Sequence, residues 1–122
     1  MTHEDIIKDI KQGKFHPVYF LHGDEPYFID VVSDYIEKNV LTEGEKAFNQ
    51  VVVYGKDTEF KTIIDEARQF PMMSSYRVII LKEAQDMKTL QDLASYVEKP
   101  SNQSILVICH KYKKVDKRTK FA

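Results

Sequence analysis

The chain has 122 residues, with 18 Lys and Arg against 19 Asp and Glu, 43% hydrophobic residues and a single cysteine. At this length one core buries roughly two thirds of the unfolded surface, so neither a disulfide framework nor a structural metal is required. Cys109 closes the apolar run from Ile105 and reads as a buried thiol in a reducing compartment. No signal peptide is visible, and no apolar stretch approaches the roughly 20 residues that cross a bilayer, which predicts a soluble, cytoplasmic protein with no membrane partner.

Charge is balanced overall but not along the chain. Lys111, Lys113, Lys114, Lys117, Arg118 and Lys120 crowd the last stretch against one acid, Asp116, so the rest of the chain is acidic. Two readings of this basic end stay open: a solvated helix start, and a contact with nucleic acid or another protein.

In chain order, Thr2-x-x-Asp5 resembles a capping box opening a helix that buries Ile6, Ile7 and Ile10 and stops at Gly13. Pro17-Val-Tyr-Phe-Leu21 reads as a strand. A second helix runs from about Pro26 to Val40 with Ile29, Val32, Ile36 and Val40 on one stripe. Gln50-Val-Val-Val-Tyr54 is the next strand, followed by a helix capped by Asp57 or Thr58 that presents Phe60, Ile63, Ile64 and Ala67 and is stopped by Pro71. Tyr76-Arg-Val-Ile-Ile-Leu81 is a third strand. A fourth helix turns Leu90, Leu93, Ala94 and Val97 inward before Lys99-Pro100, and Ser104-Ile-Leu-Val-Ile-Cys109 is the last strand.

Near-continuous apolar strands are buried on both faces, and their alternation with amphipathic helices predicts a three-layer α-β-α domain on a mostly parallel sheet of four or five strands. Residues 1–122 read as one domain. The stretch from Asp116 begins a helix that has no end, which points to a longer parent chain.

In such a fold chemistry belongs at the carboxyl ends of the strands. After the first strand, His22-Gly-Asp-Glu-Pro26 offers one glycine, Gly23, and two acids that repel a triphosphate, where a phosphate loop needs freed amides, a lysine and a hydroxyl. Gly55-Lys-Asp-Thr58 is a decoy, with Gln50 at the first glycine position and Asp57 where the hydroxyl belongs. At the end of the third strand, Lys82 takes the place of the metal-binding aspartate of an ATPase strand, and the following Glu83 is left without a metal to work with. The fourth strand ends at Cys109-His110, where a polar γ-phosphate sensor is common. His3, His16, His22 and His110 have neither the spacing nor the cysteine partners of a metal site. Asp24, Glu25 and Lys111 resemble the acids and cation of a phosphorylation receiver, whose acceptor aspartate would again be Lys82. Catalysis, cofactor and metal are all unsupported by these residues.

Three stretches, Pro17 to Ile29, Phe70 to Ala84 and Ile105 to Arg118, resemble the N-terminal domain of the bacterial DNA polymerase III delta subunit, and the resemblance covers essentially the whole chain. It implies a degenerate AAA+, P-loop-NTPase-like domain of a clamp loader, free of ATP chemistry, within a holoenzyme that is a DNA-directed DNA polymerase, a nucleotidyltransferase. Such a domain grips the β sliding clamp and opens the ring for primed DNA, ATP-binding and delta-prime subunits control its access, and lid and collar domains normally follow. The family's clamp-binding pattern stands here as Phe70-Pro71-Met72-Met73-Ser74-Ser75, with methionines in place of a branched and an aromatic residue.

Without that resemblance, two placements of Met72 and Met73 are open: an exposed apolar knob on a polar neck, or core beneath the preceding helix. The knob is the placement that the resemblance favours. Phe70 is expected in the core, and Arg68 and Arg77 are open between flanking the knob and standing as solvated surface charge. Lys111, Lys113, Lys114, Lys117 and Arg118 are candidate contacts for DNA phosphates or neighbouring subunits. The alternatives are a small α/β nucleotide-binding protein, testable by ATP binding, and a receiver-like signalling module, testable by phosphorylation of Asp24.

Overall fold

The computed structural model describes residues 3–23 and 26–111. Thr2, Asp24, Glu25 and the stretch from Tyr112, which includes Lys113, Lys114, Lys117 and Arg118, lie outside the described residues. The elements run α1 (His3–Lys11), β1 (Val18–Gly23), α2 (Pro26–Asn39), α3 (Glu43–Asn49), β2 (Gln50–Tyr54), α4 (Phe60–Arg68), β3 (Arg77–Lys82), α5 (Ala94–Glu98) and β4 (Ser104–Lys111). Short 3-10 turns cover Gly55–Asp57, Ala84–Asp86 and Leu90–Leu93.

All four strands are parallel, in the order β1-β4-β3-β2. From β1 the chain crosses to the far edge of the sheet and then steps back one strand at a time. The period of two then sorts the side chains into two cores. Leu21, Val78, Ile80, Ile105, Val107 and Cys109 face Ile29, Val32 and Ile36 of α2 together with Ile10 of α1. On the other face Ile79, Leu81, Leu106 and Ile108 meet Ile63 and Ala67 of α4 and Leu93 and Tyr96 around α5. The result is the three-layer α-β-α domain read from the sequence, with the inner strands β3 and β4 almost wholly buried.

Helix ends follow local chemistry. Glu4 and Asp5 at the start of α1 and Lys8 and Lys11 at its end complement the helix dipole. Gly13, at φ +76°, turns the chain out of the helix and donates its N–H to the Ile10 carbonyl at 3.0 Å. Three details differ from the sequence expectation. α4 is not capped by Asp57 or Thr58; the Phe60 N–H instead donates to the Thr89 hydroxyl at 3.0 Å, a cap supplied by a distant loop. The stretch 90–97 splits into a 3-10 turn and the five-residue α5, because Tyr96 is drawn into the core, where its hydroxyl accepts the Ser101 N–H at 3.1 Å. Finally, α3 was unforeseen. It opens on a full capping box in which the Thr42 hydroxyl accepts the Glu45 N–H and the Glu45 carboxylate accepts the Thr42 N–H.

One glycine is fixed by close packing. The turn after β2 lies against the turn after β3, and a Cβ on Gly55 would stand 2.2 Å from the Glu83 carbonyl oxygen. Since the obstacle is backbone, Gly55→Ala forces the two turns apart, and a loss of about 2 kcal/mol is expected. Urea unfolding checks this, and a variant within about 0.5 kcal/mol of the parent contradicts the packing.

Candidate functional site

Two places drew attention in the sequence, and the fold separates them. The first is the carboxyl edge of the sheet, where Gly23 pairs in register with Lys111 and Tyr54 with Lys82. The Lys82 ammonium meets the Glu37 carboxylate of α2 at 3.3 Å. Lys111 Nζ lies 2.6 Å from Asp30 of α2 and 3.6 Å from Glu83, while its N–H donates to Gln85 Oε1 at 2.9 Å. Gln85 in turn donates to Glu83 Oε2 at 2.6 Å. Glu83 itself sits at φ +53°, the left-handed region, which a side chain occupies at some cost.

Burial works against both ammonium groups, but their acidic neighbours outweigh it: Glu37, with the Tyr54 phenol and Asp34, at Lys82, and Asp30, with Glu83, at Lys111. Both lysines are held above the ordinary value of 10.5. Their stabilisation is therefore complete at neutral pH and fades only as pH rises through those raised values. Chemically this is a closed network: cations stand at the strand ends, and Glu83 is committed to Lys111 and Gln85. Lys111, whose side chain is 14% exposed, is likewise turned inward, in contrast to the surface contact expected of it. Burial pushes the Cys109 thiol up, which keeps it protonated and inert.

The second place is the loop between α4 and β3. Past Arg68 the chain leaves the helix through Gln69 and presents Phe70 (82% exposed), Met72 (57%) and Met73 (96%), with half-buried Pro71 between them. Phe70 is thus on the surface rather than in the core, because α4 ends one turn too early to carry it beneath the sheet. Met73 takes φ +55°, which turns the chain back toward β3. Beside the loop, α3 exposes Phe48 (65%), a residue the sequence reading passed over; its signal was a lone aromatic in an otherwise polar helix.

The neck of the loop is held from several sides. Asn49, fully buried at the end of α3, accepts the Met72 N–H on Oδ1 at 2.6 Å and donates Nδ2 to the Met72 carbonyl at 2.8 Å and the Glu45 carbonyl at 3.0 Å. The Ser74 hydroxyl bonds the Tyr76 backbone. Arg77 is buried rather than set at the surface, donating Nε to the Glu66 carbonyl at 2.9 Å, Nη1 to the Phe48 carbonyl at 3.2 Å and Nη2 to the Glu66 carboxylate. Arg68 is exposed, stacks 4.6 Å over the Tyr96 ring and donates to the Lys99 carbonyl at 2.7 Å. The Glu45 carboxyl is lowered by the Thr42 N–H and then by the Ser74 hydroxyl.

These features define a class: an α/β domain of nucleotide-binding architecture in which β3 and β4 end in ion-paired lysines and a braced loop exposes Phe70, Met72 and Met73. The family model for the DNA polymerase III delta subunit matches residues 19–122, and the chain belongs to that family. It is 30% identical over 126 residues to DNA polymerase III subunit delta of Bacillus subtilis, covering 95% of this chain and 36% of that protein. Its fold superposes on the Bacillus subtilis DNA clamp loader delta protein with a TM-score of 0.83 at 26% identity, over 98% of this chain and 38% of the other. A DNA polymerase III gamma subunit-related protein of Thermotoga maritima shares the fold, with a TM-score of 0.64 at 15% identity, over 91% of this chain and 40% of that one. The chain therefore spans little more than a third of its curated relative.

Two outcomes follow from the bracing. Arg77→Ala strips a buried hub and is expected to cost about 3 kcal/mol in urea unfolding, whereas Glu66→Gln, at a third-exposed position, leaves the two carbonyl contacts and costs less. Because the folded Glu45 carboxyl lies below its ordinary 4.5, its stabilisation is present above that pH and lost as pH falls through the lowered value. Glu45→Gln should accordingly flatten the acid limb of the stability curve, and an unchanged limb contradicts the assignment.

Proposed function

We propose that this chain is the clamp-handling domain of a DNA polymerase III delta subunit, in which Met72 and Met73, with Phe70 and Pro71 at their base, dock in an apolar pocket of the β sliding clamp. The observation that carries the reading is the exposure of two adjacent methionines on a loop whose backbone is otherwise fixed. An apolar side chain held in water is a hot-spot geometry, and methionine's flexible, polarisable thioether suits an adaptable pocket. Docking energy strains the closed ring and favours its opening for loading on primed DNA in the cytoplasm. No bond is made or broken in this domain, and no cofactor takes part.

Timing comes from partners, the ATP-binding and delta-prime subunits of the loader, since the strand ends here are closed by Lys82–Glu37 and Lys111–Asp30. Lys113, Lys114, Lys117 and Arg118 remain as the cations for DNA phosphates or a neighbouring subunit, a role that appears as salt-dependent affinity. Residues 1–122 act as one domain in this scheme.

Calorimetric titration against the cognate β clamp tests it. Met72→Ala/Met73→Ala is expected to lose more than about 2 kcal/mol, a change of about 30-fold in Kd, while the variant stays folded. Mg-ATP should leave the thermal midpoint unmoved. A folded parent chain that ignores the clamp, or binds it equally well without the two methionines, sinks the reading; an ATP-induced stabilisation moves it to the nucleotide-binding class.

A further inference from the structure

We infer that Asn49 is a positioning residue for clamp docking: its buried carboxamide clasps the Met72 main chain and holds the knob in its docking shape before the clamp arrives. The inference rests on the functional reading above and adds a residue with no exposed surface of its own.

The geometry is two-way. Met72 donates its N–H to Asn49 Oδ1 at 2.6 Å, and its carbonyl accepts Asn49 Nδ2 at 2.8 Å, so one side chain takes both polar groups of a single residue, as a neighbouring strand would. The second Nδ2 hydrogen goes to the Glu45 carbonyl at 3.0 Å, which fixes the plane of the amide against α3. With Met72 pinned, Met73 follows at φ +55°, a conformation that methionine adopts only when its surroundings impose it. The clasp thereby presents Met73 almost wholly, and more than half of Met72, to solvent. Truncating Asn49 frees the loop to sample other shapes, and the apparent affinity falls by the fraction of molecules that remain competent.

The test pairs binding with amide exchange. In Asn49→Ala, exchange at the Met72 N–H should accelerate and clamp affinity fall about tenfold, mainly through a slower association rate, at a temperature where the variant is fully folded. Where the alanine variant is too unstable, Asn49→Asp preserves the volume and the acceptor but turns a carboxylate on two carbonyls, and the same direction is expected. A role in stability alone lowers the unfolding midpoint and leaves the affinity of the folded protein untouched. Affinity within twofold of the parent, or unchanged Met72 exchange, overturns the inference alone. A parent chain that fails to bind the clamp overturns the functional reading and this role together.

Discussion

The guanidinium of Arg77 sits where three parts of the chain converge. It heads β3, and its donors reach the last turn of α4 through Glu66 and the last turn of α3 through the Phe48 carbonyl. Both helices direct the negative ends of their dipoles at this point, so a cation there meets two partial charges and one full carboxylate. A buried guanidinium tolerates desolvation only with such a set of partners, and the set in turn fixes where both helices end. The loop that leaves α4 and the residue that closes α3 are consequently held in one frame, and the exposed methionines are mounted on it.

Among the described residues only two other than glycine adopt positive φ, Met73 and Glu83. Each lies in one of the two candidate regions, and the environments impose them differently. At Met73 the clasp from Asn49 fixes the preceding residue and solvent receives the side chain. At Glu83 the strain sits between β3 and a 3-10 turn pressed against Gly55, and the side chain is spent on Lys111 and Gln85. Strain of this kind persists where neighbouring structure over-determines it. In one case it serves exposure, in the other enclosure.

Much of the fold was legible because burial on both faces leaves a plain record: four β-branched runs gave the strands, and the stripe Ile29, Val32, Ile36 gave α2. The position of Lys82 at the end of β3 was legible because the apolar run stops there. What stayed hidden depends on contacts between distant segments. The capping box Thr42 to Glu45 was present in the sequence, yet α3 is seven residues long, contains Gly44 and has no apolar stripe. Thr89 as the cap of α4, and Asn49 as the clasp on Met72, cross 29 and 23 residues of sequence. Phe70 was misplaced since an apolar residue before proline reads equally as an inward or an outward position. Arg77, a charge at the start of a strand, looks like surface until two helix ends are brought over it.

The pairing of Lys82 with Glu37 also limits what position 82 can become. An aspartate at position 82 would lose the contact with Glu37 and add a further carboxylate to the region of Glu37 and Asp34, while Glu83 would still be held by Lys111. A reversal of charge at one member of the network thus leaves carboxylates facing one another, so position 82 is constrained by its partners as much as by its own backbone.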